Sequence, residues 1–185
     1  MGKTLRRAIT RRLARPTPAN ESILESYRLP SGELARRYWA LPGKILVGGR
    51  IMSVKDAAHL RSTYGVTHTL SAESEQDDET VWLDPTTRAR FPFPDDARPI
   101  PLDLCRGALA YARTVLLLPD SVLYAHCRLG GSRGPSWGYL SLRVLGRTPE
   151  QALAQCGRRR VHSTDLHPAY VQSIEAALKD ALPPT

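Results

Sequence analysis

Tyr124-Ala125-His126-Cys127-Arg128-Leu129-Gly130-Gly131-Ser132-Arg133-Gly134-Pro135-Ser136 is the stretch that decides how this chain is read. It opens on the end of an apolar run, Ser121 to His126 around Val122-Leu123-Tyr124-Ala125, of the kind that forms a buried strand. It closes on the start of a helix predicted from Ser136 to Leu145, with Gly146 and Pro149 marking the break after it. Between the two lie paired glycines, and Cys127 stands six positions before Arg133. A Gly-rich turn between a strand end and a helix N-terminus gathers backbone N–H groups into a nest for a tetrahedral oxyanion. The same partial positive field favours a thiolate over a thiol, which makes Cys127 a candidate nucleophile. Arg133 offers a planar fork for two phosphoryl oxygens, which the point charge of a Lys does not match. The Cys-x5-Arg spacing is weak by itself in so arginine-rich a chain. Its setting between strand and helix gives it weight.

Outward from this loop, strands and helices alternate. Ile45-Leu46-Val47 before Gly48-Gly49 reads as a buried strand. Ser53 caps a helix running to about Tyr64, and Gly65 stops it. Val66 to Leu70 reads as a second strand and Arg90 to Pro94 as a third. Leu102 to Leu118 carries Leu102, Cys105, Leu109, Ala112 and Leu116 on one helical stripe, which assigns Cys105 to the core. Two closing helices are predicted over Pro149 to about Arg159 and His167 to Leu182. The acidic segment Ser71 to Thr80 (Glu73, Glu75, Asp77, Asp78, Glu79) reads as a solvated loop, because it lacks the glycine-centred ligand spacing of a hard-metal site. His59, His68, His162 and His167 have no partners at metal-ligand spacing, so no metal or cofactor is expected. Cys156 reads as a core residue or a redox partner for Cys127. Arg158-Arg159-Arg160 ends a helix, where cations suit the macrodipole. The alternation predicts an α/β layer fold.

The 185 residues, 42% of them hydrophobic, suffice for one domain with a core of its own. The excess of 26 Lys+Arg over 18 Asp+Glu is unevenly placed. Residues 1–20 hold Lys3, Arg6, Arg7, Arg11, Arg12 and Arg15 and no acid, so the rest of the chain is nearly neutral. That argues against a nucleic-acid-binding domain. Within the arm, Leu5, Ile9 and Leu13 recur at helical spacing. Residues 3–15 are therefore either a solvated basic arm or an amphipathic helix that lies on an acidic membrane or partner. The expected organisation is this arm at 1–20, a linker or N-terminal extension at 21–43, and the catalytic domain at 44–185. No apolar run approaches the ~20 residues of a membrane span. The start has no secretory-type apolar stretch, and three cysteines are too few for a disulfide scaffold, so a cytoplasmic location is expected.

His126-Cys127-x-x-Gly130-x-Ser132-Arg133 resembles the signature loop of the cysteine-dependent dual-specificity and protein-tyrosine phosphatases. The resemblance runs from about Lys44 to Leu182, with Ile45 to Gly49, the helix after it and Gly65 to Leu70 similar to that family's opening strand–helix–strand. It implies a single compact α/β domain, a short central mixed sheet flanked by helices, in which Cys127 attacks a phosphomonoester and Arg128, Leu129, Gly130, Gly131, Ser132 and Arg133 cradle the phosphate. It implies no cofactor, and it gives His126 the task of anchoring the loop and tuning Cys127 through hydrogen bonds. It also implies a general acid about thirty residues upstream. Asp95, after Pro94, stands 32 positions before Cys127, with Asp96 and Asp103 as alternatives. A phosphorylated protein is the first substrate implied; phosphoinositides, other phosphoesters and nucleotides stay open. The chain departs from the family at Gly134, where many members carry the Ser or Thr whose hydroxyl helps the thiolate leave. That departure keeps a phosphate-binding pseudophosphatase as an alternative. Arg133-Gly134-Pro135 also resembles cell-cycle phosphatases built on a rhodanese fold, which keeps a sulfurtransferase or arsenate reductase as a third.

Overall fold

The computed structural model describes residues 25–157 and 166–181. The basic arm, Arg158 to Arg160 and His162 lie outside the described residues. Six strands form one mixed sheet in the order β1-β2-β3-β6-β4-β5: β1 Glu25–Arg28, β2 Leu34–Leu41, β3 Ile45–Gly48, β4 His68–Ser71, β5 Arg88–Arg90 and β6 Leu123–His126. β1, β2 and β3 pair antiparallel, whereas β3, β6, β4 and β5 run parallel. The helices are α1 Val54–Tyr64, α2 Leu102–Leu117, α3 Arg133–Val144, α4 Pro149–Gly157 and α5 Pro168–Ala181.

Strand side chains alternate between the two faces of the sheet. Ile45, Val47, Leu123 and Ala125 accordingly join the large core under α2, α3, α4 and α5. Leu46 and Tyr124 face the other way, into a smaller core with Ala57 and Leu60 of α1 and with Trp82. Ser53 caps α1 by accepting the Asp56 N–H, and Gly65 ends it in the left-handed conformation. Cys105 is buried on the inner face of α2, where burial pushes its thiol up to about 12. No disulfide joins the three cysteines.

Of the linker or N-terminal extension expected at 21–43, residues 25–41 are an extension: a hairpin that lengthens the sheet. Its adjacent Arg36 and Arg37 interrupt the apolar alternation that marks a strand in sequence, yet Arg37 is only 1% exposed. Glu25 and Asp56 hold its guanidinium at 2.6 and 2.5 Å, and Nε donates to the Tyr124 hydroxyl at 3.1 Å. Charge pairing replaces apolar burial there. The strand expected over Arg90 to Pro94 is instead β5, Arg88–Arg90, because Pro92 and Pro94 have no N–H for the ladder. Helix α3 begins at Arg133 rather than Ser136, since Pro135 falls in a first turn whose N–H groups need no partner.

Candidate active site

β3, β6 and β4 end level, with Gly48 and Ser71 both paired with His126. The chain leaves the centre of the sheet there and passes through Cys127 into the loop before α3. This is the carboxyl edge of a parallel sheet, where such folds place their ligands. Cys127 is 3% exposed, and its N–H donates to the Gly48 carbonyl at 3.3 Å. No acceptor among the described residues takes the N–H groups of Arg128, Leu129, Gly130 or Ser132. Those four N–H groups are the donors that an anion nest would use. Gly130 has φ +78°, and a Cβ there would lie 2.6 Å from the Gly48 carbonyl carbon, so only glycine allows the loop to fold against β3.

Arg133 is buried, and its guanidinium is oriented from one end. Glu75 accepts from Nη1 at 2.9 Å and from Nη2 at 2.8 Å, while Ser74 Oγ and the Phe93 carbonyl also take Nη1. Burial would raise the Glu75 carboxyl, but the Arg133 hydrogen bonds outweigh it and hold the group at about 2. Burial likewise works against the Arg133 charge, and Glu75, Cys127 and Asp95 together more than restore it. Arg133 Nε–H has no hydrogen-bond partner among the described residues. The edge formed by Nε–H and the second Nη2 hydrogen is left for a ligand, so Arg133 presents its side rather than its tip.

The acid candidates separate cleanly. Asp95 Oδ2 lies 3.7 Å from Arg133 Nε. Asp96 instead accepts the Arg98 N–H at 3.1 Å in its own turn, and Asp103 sits exposed at the start of α2. Of the three, only Asp95 reaches the Cys127–Arg133 loop.

His126 is fully buried at the end of β6, and its Nε2 lies 2.6 Å from Asp78 Oδ2. Nδ1 has no partner, so neither ring nitrogen bonds Cys127 and the ring anchors the strand end instead. Tyr124 stacks on the ring at 5.1 Å, which links His126 to Arg37 and the N-terminal hairpin. The same hairpin touches the loop directly, because Glu33 forms an ion pair with Arg128. Arg50 N–H donates to the Arg128 carbonyl at 3.0 Å, and its side chain pairs with Glu73.

Three partners of the candidate site's cations fall in the acidic segment read as solvated: Glu73 and Asp78 are buried, and Glu75 holds Arg133. An acidic run next to a strand end carried no signal of which cation each carboxylate would meet. Among the described residues, no group of three His, Cys, Asp or Glu side chains stands ready for a metal.

No family model and no curated protein matches the sequence. Solved structures match the fold. PTPMT1, solved in complex with PI(5)P, is 16% identical with a TM-score of 0.63, over 78% of this chain and 95% of that one. The Cydia pomonella PTP-2 phosphatase is 19% identical with a TM-score of 0.60, over 76% and 88%. Human DUSP28 is 17% identical with a TM-score of 0.59, over 78% and 94%.

Proposed function

From the dual-specificity and tyrosine phosphatase fold of this chain, we propose that it hydrolyses phosphomonoesters through a phosphocysteine on Cys127. The observation that carries the reading is the Nε–Nη2 edge of Arg133, which makes no hydrogen bond among the described residues, in one loop with Cys127 and the unpaired N–H groups of Arg128, Leu129, Gly130 and Ser132. Two parallel N–H donors and the nest match three equatorial phosphoryl oxygens and strengthen as charge gathers on them. Cys127 Sγ attacks phosphorus, the ester P–O bond breaks, and protonated Asp95 delivers its proton to the leaving oxygen. Water then attacks the phosphocysteine, Asp95 takes a proton from it, and the S–P bond breaks to return the thiolate. One ester and one water become one alcohol and one inorganic phosphate.

Phosphoprotein is the first substrate class proposed, as dual-specificity or tyrosine protein phosphatase. A phosphoinositide-type ester is the second, favoured by Arg50 and Arg128 side by side at the loop and by the PI(5)P bound to PTPMT1. The test is Cys127→Ser. Turnover of p-nitrophenyl phosphate should vanish while the folded variant still binds vanadate or phosphate. A variant that keeps a substantial fraction of the wild-type rate would sink the proposal. A wild type that binds phosphate without turnover would be a phosphate-binding module instead.

A further inference from the structure

Asp95 sits on a loop whose shape is set from outside the active site. Tyr170, in the first turn of α5 and 1% exposed, places its hydroxyl against three points of that loop. It accepts the Ala97 N–H at 3.0 Å, lies 3.4 Å from the Pro94 carbonyl, and is 3.3 Å from Asp95 Oδ1. One turn along α5, Ser173 Oγ accepts the Ile100 N–H at 3.0 Å. The Phe93 ring packs edge-on against Tyr170 at 5.1 Å, and the Phe93 carbonyl is the one Arg133 bonds. Ala97 holds a left-handed φ of 64°, a conformation that a non-glycine residue keeps only where its surroundings impose it. The Tyr170 hydroxyl is the partner of the Ala97 N–H at that turn.

The two oxygens of Asp95 therefore have different surroundings. Oδ1 faces Tyr170, and Oδ2 faces Arg133 Nε at 3.7 Å. We propose that Tyr170, with Ser173 behind it, is the positioning residue for the general acid: it holds Oδ1 so that the transferable proton resides on Oδ2, toward the leaving oxygen. The proposal rests on the reading of Asp95 as the acid. Burial raises the Tyr170 phenol, so the hydroxyl keeps its proton across the working range and stays both donor and acceptor. A proton donor displaced by an ångström loses much of its effect, because orientation accounts for a large part of such catalysis.

The experiment is a cycle of Tyr170→Phe, Asp95→Asn and the double variant, with Ser173→Ala as a milder companion. Rapid mixing reads the first phosphoryl transfer for a good leaving group (p-nitrophenyl phosphate) and a poor one (phenyl phosphate). Tyr170→Phe keeps the ring and its contact with Phe93, so the fold should be retained by thermal unfolding. It should slow the poor ester about tenfold, leave the good one within about twofold, and add nothing once Asp95 is Asn. Ser173→Ala should act in the same sense. Equal loss for both esters, or an undiminished loss in the Asp95→Asn background, overturns the positioning role. If Asp95→Asn itself spares the poor ester, the acid assignment fails and the proposal falls with it.

Discussion

Glu75 grips the tip of the Arg133 guanidinium, 2.9 Å from Nη1 and 2.8 Å from Nη2, and so leaves the Nε–Nη2 edge as the one without a hydrogen bond among the described residues. An unrestrained arginine at the mouth of a loop would rotate about its terminal torsions and lose entropy on binding an anion. Held at one end by a carboxylate and by the Phe93 carbonyl, Arg133 is set before the ligand arrives.

Arg133→Lys should cost a hundredfold or more in kcat/KM, about 2.7 kcal/mol, because an ammonium cannot hold Glu75 and present two parallel donors at once. Steady-state kinetics on an aryl phosphate checks this. Near-wild-type kinetics would mean that the guanidinium does not meet the phosphoryl group.

The Glu75 carboxyl, lowered from 4.5 to about 2, makes a pH prediction for stability. A depressed carboxylate stabilises the fold fully above its unfolded value, and the contribution fades as pH falls from there through about 2. Glu75 is 43% exposed, so solvent screening keeps the effect modest. Urea unfolding at pH 6 and pH 3 should show a smaller acid-induced loss for Glu75→Gln than for wild type. Parallel losses in both proteins would show that the pair does not couple to folding.

Gly134 lacks a hydroxyl for a spatial reason. A Cβ there would meet the Cys127 N and His126 Cα at 3.0 Å and the Gly48 carbonyl at 3.1 Å, all backbone atoms with little freedom to yield. Gly134→Ala and Gly134→Ser should both lose about 1–3 kcal/mol, measured by denaturant unfolding. Ser136 is no ready substitute, because its hydroxyl donates to the Ser132 carbonyl. Wild type should therefore show a burst of aryl alcohol followed by a slow steady state. The Ser variant should release the phosphocysteine faster than the Ala variant. Equal rates in Ser and Ala, with no burst in wild type, would leave the glycine a purely steric role.

Asp78 and His126 form a buried pair, so removing the acid strands a polar nitrogen in the interior. Asp78→Ala should destabilise the protein by about 1–3 kcal/mol and lower the rate, since His126 ends the strand that delivers Cys127. Thermal unfolding together with kinetics tests it. An unchanged melting temperature would show that water replaces the carboxylate without penalty.

What the sequence by itself determined is local. Strand, cysteine, glycine turn, arginine and helix start lie consecutively between Leu123 and Val144, so strand pattern, turn chemistry and spacing sufficed to single out this loop as the candidate site. Asp95 and Asp96 both suit the family's spacing, and only the turn that points Asp96 at Arg98 sets their surroundings apart. Tertiary structure alone decided the partners. Pairing β6 between β3 and β4 brings Glu75 and Asp78 from after β4 to Arg133 and His126, and packing α5 against α2 brings Tyr170 to the acid loop. The hairpin at 25–41 was hidden for a related reason. Its central buried residue is an arginine, and a buried charge is legible only once the Glu25 and Asp56 that neutralise it, and the Tyr124 hydroxyl that accepts its Nε–H, are seen beside it. Periodicity records what a segment does with its own neighbours along the chain, whereas ion pairs and hydrogen bonds between distant segments leave no period to read.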